Sequence, residues 1–177
     1  DRSRVLVIPK DLSKRNSGSS LIESLPKEWL PLDGMFHAAG DVLLKPLSLS
    51  TREDFDNLAE ISLHAILNIS KFISKKKYFS KGSSIVLMSS IASILGTTGL
   101  GYYSAIKSSI NSICQSMAIE LAPKEIRVNT ILAGAVETNM HTKITKQLSR
   151  ELVEKYESKH LLGFGKAEDL SLIHISE

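Results

Sequence analysis

The sequence predicts an α/β fold in which helices cover both faces of a parallel sheet. Three observations predict it. Short apolar runs at 4–9, 33–40, 83–90 and 126–134 alternate with helical segments, an order that needs crossover connections and therefore parallel strands. The first, RVLVIP, is β-branched and nearly uninterrupted, as a strand buried on both faces is, and the others read as buried runs too short for helices. With 42% hydrophobic and 23% charged residues and only 10 Gly and 5 Pro, the 177-residue chain has the composition of a soluble globular protein and the length of one domain at most.

Each element follows from its own pattern. RVLVIP (4–9) is a first strand stopped by Pro9, and LIESLPKEWL (21–30) is a short helix that Pro26 ends near Ser24. DGMFHAAG (33–40) is a second buried strand whose small last residues let another molecule approach. Ser50 and Glu53 are expected to form a capping box. The box would open one long helix over 51–77, with Phe55, Leu58, Ile61, Ala65, Leu67, Ile69 and Phe72 at helical spacing. Lys75, Lys76 and Lys77 then complement the negative end of that helix. SSIVLMSS (83–90) is the third strand, residues 103–121 a second long helix ending before Pro123, and IRVNTILAG (126–134) the fourth strand. The polar stretch 141–162 is expected to form one or two mobile helices over a cleft.

Charge and composition exclude several function classes. A net charge of +3, scattered along the chain, gives no basis for nucleic-acid binding. No apolar run approaches the ~18 residues of a membrane span, and no signal peptide opens the chain. The single cysteine, Cys114, reads as buried in a helix, which fits a cytoplasmic location. His37, His141, His160 and His174 show no metal spacing, and no metal is expected.

The candidate chemistry lies in GYYSAIKSSI. Tyr103 and Lys107 are four apart on one helix and share a face, whereas Tyr102 has Ile106 at that offset and reads as a wall or packing residue. Ser89 and Ser90 end the preceding strand at its C-terminal edge, where open α/β sheets bind ligands, and alternation lets only one of them face the cleft. A phenol with an ordinary pKa of ~10 needs a nearby positive charge to act at neutral pH, and Lys107 supplies one. A serine hydroxyl can hold a carbonyl oxygen beside the phenol, so the trio suits ketone reduction or alcohol oxidation.

HAAG (37–40), IVLMSS (85–90), YSAIK (103–107) and IRVNTILAGAVETNM (126–140), in that order, resemble the short-chain dehydrogenase/reductases, in the non-extended branch that includes the β-ketoacyl-acyl-carrier-protein reductases. The resemblance covers residues 4–169 and implies a Rossmann-like, doubly wound parallel sheet. It implies NADP or NAD as cofactor and a small carbonyl or alcohol substrate. In the family the active serine lies thirteen residues before the active tyrosine, which puts the role on Ser90 and Tyr103. By resemblance, Ser90 orients the carbonyl and Tyr103 is the general acid, while Lys107 binds the nicotinamide ribose and lowers the tyrosine pKa. Asp11 would contact the adenine with Leu12 nearby, Ala38, Ala39 and Gly40 would admit the cofactor, and Val136 and Thr138 would meet the nicotinamide carboxamide. Each also has an ordinary reading: Asp11 as a turn residue, Thr138 as a helix cap, the small residues as close packing. The two long helices would pack against their copies in a homodimer or homotetramer.

Three departures stand out. His37 and Ala133 replace the family's usual Asn and Pro, changes expected to alter a turn more than a catalyst. Ser62 occupies the position of an asparagine that holds a water in the family's proton relay, and serine is shorter; His64, two residues on, points elsewhere and reads as packing or surface. The family's glycine-rich phosphate loop has no counterpart, so the first two strands are expected to be missing, together with the last. The first strand here is then expected to be detached, or a gap to open beside 33–40, with poor stability for the piece alone. LSLIHISE (170–177) resembles the translation of a sequencing-library transposon adapter, which makes 1–169 the expected partial domain and the piece itself inactive. Two rivals are a non-catalytic dinucleotide-binding scaffold, which Ser62 favours, and an extended-branch nucleotide-sugar epimerase or dehydratase, which VNTILAGAVETNM disfavours.

Overall fold

The structure is a computed structural model that describes residues 5–170. Arg4 of the first predicted strand and residues 171–177 of the adapter-like tail lie outside the described residues. Three strands, β1 (Leu32–His37), β2 (Phe79–Ser90) and β3 (Arg127–Ala133), form a parallel sheet in the order β1-β2-β3. β2 is central: residues 84–90 pair with 127–133 on one side, and 84–87 with 34–37 on the other.

The apolar faces meet in one core. Helix α1 (Ser17–Glu23) ends at Ser24, as Pro26 predicts. Helix α4 (Gly101–Leu121) is unbroken over its 21 residues. Between them lies the other long helical segment, which runs as α2 (Arg52–Ala59), a π-helical turn (Glu60–His64) and α3 (Ala65–Ile73). Ile22 of α1, Ile66, Ile69 and Ile73 of α3, and Ile110, Cys114 and Leu121 of α4 pack in one cluster with Ile85 and Leu87 of β2. α1 approaches α3 closely at Gly18, where a Cβ would stand 2.7 Å from the Ala65 carbonyl oxygen. The other side of β2 is only half-buried at Val86 and Met88, so the described helices fill one face rather than the two expected. Helices α5 (Asn139–Thr145) and α6 (Arg150–Glu157) come after β3 and supply the two helices expected over 141–162.

Four local expectations are corrected. Residues 5–9 join no strand: Val5 and Val7 are 68% and 78% exposed. A β-branched run becomes a strand only where a neighbour takes its backbone N–H and C=O groups, and among the described residues none does. β1 is likewise less buried than its composition suggests, with Phe36 56% exposed, because it forms the edge of the sheet. Beside it opens a groove of about 370 Å³ walled by Leu6, Ile8, Leu12, Met35 and His37, the gap foreseen there. The long helix starts at Thr51, whose hydroxyl accepts the Asp54 N–H while the Asp54 carboxylate accepts the Thr51 N–H at 2.8 Å. Asp54 outcompetes Glu53 because the same carboxylate also binds Lys45 at 2.6 Å, and Ser50 instead donates to the Pro46 carbonyl. The helix ends at Ile73 rather than Lys77; Lys75 and Lys77 lie in the turn beyond it, against the rings of Phe72 and Tyr78.

Candidate active site

The C-terminal end of β2 separates the two serines by task. The Ser89 hydroxyl donates to the Lys107 carbonyl at 3.0 Å, tying α4 to the sheet. Ser90, also buried, accepts the Ala92 N–H at 3.2 Å and stands beside the Tyr103 phenol. The strand's alternation therefore presents Ser90, and not Ser89, to the tyrosine.

Helical spacing separates the two tyrosines in the same way. Tyr102 turns to α2, where its ring meets Phe55 edge-to-face at 5.5 Å and packs against Leu58, Ala59 and Ile106. Tyr103 faces the other way, with the Lys107 Nζ 5.7 Å from its ring centre. Lys107 is 5% exposed and donates to the Met88 carbonyl at 2.9 Å. Burial lowers its pKa to about 8. The expected lowering of the Tyr103 pKa is not what the geometry produces: burial raises it, and only the Ser90 side chain opposes the shift. The ammonium donates to a backbone carbonyl and makes no described hydrogen bond to the phenol, and desolvation dominates.

Behind this trio the π-helical turn sets Ser62 inward. It is 1% exposed and its Oγ has no hydrogen-bond partner. Gly40 closes the same space: a Cβ there would stand 3.1 Å from Ser62 Oγ and 3.6 Å from Lys107 Nζ. His64 is exposed, in keeping with a surface role. His37 is the residue that sequence reasoning misjudged. It is not a turn residue but the last position of β1, 5% exposed, with its Nε2 unpartnered. Burial lowers its pKa to about 4, and the charge of Lys107 acts in the same direction. The available signal was its place at the end of a strand that points into the ligand crevice of an open α/β sheet.

The outlying positions are not drawn in to the same degree. Asp11 is exposed, and its carboxylate accepts the Ser13 N–H at 2.9 Å and the Ser13 hydroxyl at 2.6 Å, the turn role foreseen as its ordinary reading. Leu12 shares the groove beside β1 with Ala38 and Ala39. Val136 bridges to Gly165, and Thr138 caps α5 by accepting the His141 N–H at 3.3 Å. α5 and α6 then bring His141, Tyr156, His160 and Phe164 together, with ring centres 4.5 to 5.9 Å apart. Tyr156 lies close enough to Tyr103 that the second phenol, after burial, contributes to raising its pKa. Lys143 of α5 reaches both carboxylate oxygens of Asp41 at 2.9 Å, which ties α5 to the loop after Gly40. Among the described residues no His, Cys, Asp and Glu cluster could hold a metal, and no helix is long and apolar enough to cross a membrane.

A parallel sheet with a serine at the end of one strand and a Tyr-x-x-x-Lys face on the next helix defines a class of open α/β proteins with the site at the strands' carboxyl ends. The sequence profile of the family described as enoyl-(acyl carrier protein) reductase matches residues 1–172, and the chain belongs to this family of short-chain dehydrogenase/reductases. It is 29% identical over 152 residues to the 3-oxoacyl-(acyl-carrier-protein) reductase FabG of Buchnera aphidicola, covering 86% of this chain and 60% of that protein. It is 31% identical over 144 residues to carbonyl reductase (NADPH) 2 of Sus scrofa, covering 79% of this chain and 57% of the relative. The chain thus spans about six tenths of the length of these curated relatives. Among solved structures, a dehydrogenase/reductase from Sinorhizobium meliloti superposes with a TM-score of 0.82 at 23% identity, over 94% of this chain and 64% of the other.

Proposed function

We propose that the intact protein is an NAD(P)-dependent oxidoreductase that reduces a ketone or 3-oxoacyl group, or oxidises the corresponding secondary alcohol, at Ser90, Tyr103 and Lys107. The observation that carries this reading is the convergence of Ser90 on the Tyr103 phenol with Lys107 buried behind it. The names of the relatives, 3-oxoacyl reductase, carbonyl reductase and cyclopentanol dehydrogenase, agree with it.

The residues present fit a dinucleotide. A side chain at Gly40 would press on the Ser62 hydroxyl, its Cβ standing 3.1 Å from Oγ, and a small residue here suits the close approach of a ligand. Lys107 would hold the ribose, Val136 and Thr138 the carboxamide, and Ala38, Ala39 and Gly40 the surface against which it lies, with Asp11 and Leu12 toward the adenine. NADP or NAD, when bound, supplies the hydride; a related 3-oxoacyl reductase from Agrobacterium tumefaciens was solved with NADP.

In reduction, the Ser90 hydroxyl donates a hydrogen bond to the substrate carbonyl oxygen. Tyr103, whose phenol pKa burial raises, passes its proton to that oxygen. Lys107, its ammonium held on the Met88 carbonyl at 2.9 Å, would serve the ribose rather than the phenol. Ser62, with its free hydroxyl, sits behind Lys107 in place of the family's asparagine. Leu67 on α3 and Ile119 on α4, 38% and 77% exposed, are the apolar surface that would pack in a homodimer or homotetramer, with the cytoplasm as the compartment.

The test is NAD(P)H oxidation by the full-length gene product against a ketone panel. Tyr103→Phe is expected to lose ~10² to 10⁴ in rate, and Tyr102→Phe to keep activity. The reverse pattern overturns the assignment, and a wild type that binds dinucleotide without turnover supports the scaffold reading instead.

A further inference from the structure

The turn that follows Ser90 is fastened to α4 by side chains to which the proposed reaction gives no role. Ile91–Ser93 make one 3-10 turn, closed by the Ile94 and Leu95 N–H groups, which donate to the Ile91 carbonyl at 3.1 and 3.0 Å. The described side-chain hydrogen bonds from another element to this turn both come from α4, and both end on Ser93. The Ser108 hydroxyl donates to the Ser93 carbonyl at 2.7 Å, and the Asn111 Nδ2 donates to the Ser93 Oγ at 2.8 Å. One bond holds the backbone of Ser93 and the other its side chain, so its place and its orientation are fixed together.

The turn in its own right holds the serine. The Ala92 N–H donates to Ser90 Oγ at 3.2 Å, and the two residues are 7% and 8% exposed, so solvent competes little for either group. That bond takes one of the hydroxyl's two lone pairs, which sets the direction of the side chain and leaves its proton to be donated. Tyr103, Lys107 and Asn111 stand at i, i+4 and i+8 on an unbroken helix, in one row. The row that carries the phenol and the ammonium thus carries the anchor of the serine as well. Stability alone does not account for an amide at 111. Its Oδ1 is buried without a partner, and an unsatisfied buried acceptor costs stability that an apolar side chain of the same size would not.

We propose that Asn111, together with Ser108, is a positioning residue for Ser90, acting through Ser93 and the Ala92 N–H. What Ser90 then does in turnover rests on the reaction proposed above; the anchoring itself does not.

Amide hydrogen exchange in the full-length protein reads the anchoring. Asn111→Ala should speed exchange of the Ala92 N–H about tenfold or more and leave that of Leu87, inside the central strand, unchanged. Ser93→Ala removes the same bond from its other end, keeps every α4 side chain and should act alike, so it decides the matter if Asn111→Ala does not fold. An Ala92 amide as slow as in the wild type, or one that quickens only together with Leu87, overturns the proposal. Kinetics test the route through Ser90. Asn111→Ala should lower kcat about tenfold with the dinucleotide KM unchanged, and should cost nothing further in a Ser90→Ala background. Losses that multiply in the double variant would place the action of Asn111 elsewhere and sink the idea. A wild type without turnover whose Ala92 amide responds as expected supports the anchoring and removes only the reading of the reaction.

Discussion

Two stretches of nearly the same composition meet opposite ends in this molecule. Val5, Leu6, Val7 and Ile8 are as apolar as Ile85, Val86, Leu87 and Met88, and carry three β-branched residues to their two. The second stretch is the central strand, with Ile85 and Leu87 fully buried; the first pairs with no strand among the described residues, and Val5, Leu6 and Val7 are 68%, 42% and 78% exposed. The difference lies in neighbours. β2 has a strand on each side to take its backbone groups and two helices to cover its core face, so its side chains and its N–H and C=O groups are satisfied together. β-Propensity describes fitness for such a surface and does not create one.

The contrast predicts a large asymmetry in stability. Leu87→Ala should cost about 2 to 5 kcal/mol in chemical denaturation, because it empties a closed core position. Leu6→Ala should stay within about 0.5 kcal/mol. A comparable loss at both would mean that residues 5–9 are packed in solution, and would break the comparison.

His37 lies between the two regions and gives the next effect. Its pKa is depressed to about 4 from 6.5, so the folded state favours the neutral ring. The unfolded chain binds the extra proton between those values, and stability is therefore full above pH 6.5 and falls as pH drops toward 4. The loss amounts to about 3 kcal/mol. Denaturation midpoints measured over that window should fall in the wild type and flatten in His37→Asn; an unchanged slope would show that His37 is exposed. A smaller effect sharpens the helical side: Thr51→Ala should cost about 1 kcal/mol through the lost cap, and Ser50→Ala much less.

What was legible depended on how local its cause was. The choice of Tyr103 over Tyr102 follows from a four-residue offset to Lys107, and α4 carries that spacing into space without distortion. Alternation showed that only one of Ser89 and Ser90 could face the cleft, and Ser89 is taken up by the Lys107 carbonyl. The order of elements and the end of α1 at Pro26 were equally readable. His37 was not, because a residue at the end of an edge strand is buried only by what other elements bring to it. The fate of residues 5–9 was only half readable: their propensity is local, but a strand needs a partner that no local pattern reveals. The π-helical turn left no trace in the apolar spacing, since Leu58, Ile61 and Ala65 read as continuous helix through it.

The Asp41–Lys143 pair carries a consequence for the conditions under which α5 stays against the loop after Gly40. It joins residues 102 apart in sequence, its side chains are about half exposed, and it follows directly on Gly40. A contact of that kind acts as an electrostatic latch whose grip weakens as the Debye length shrinks from ~10 Å at 0.1 M salt to ~3 Å at 1 M. Limited proteolysis across residues 139–157 should therefore quicken with added salt in the wild type and be fast and salt-indifferent in Asp41→Asn. Ionic strength becomes a dial on how often α5 parts from that loop.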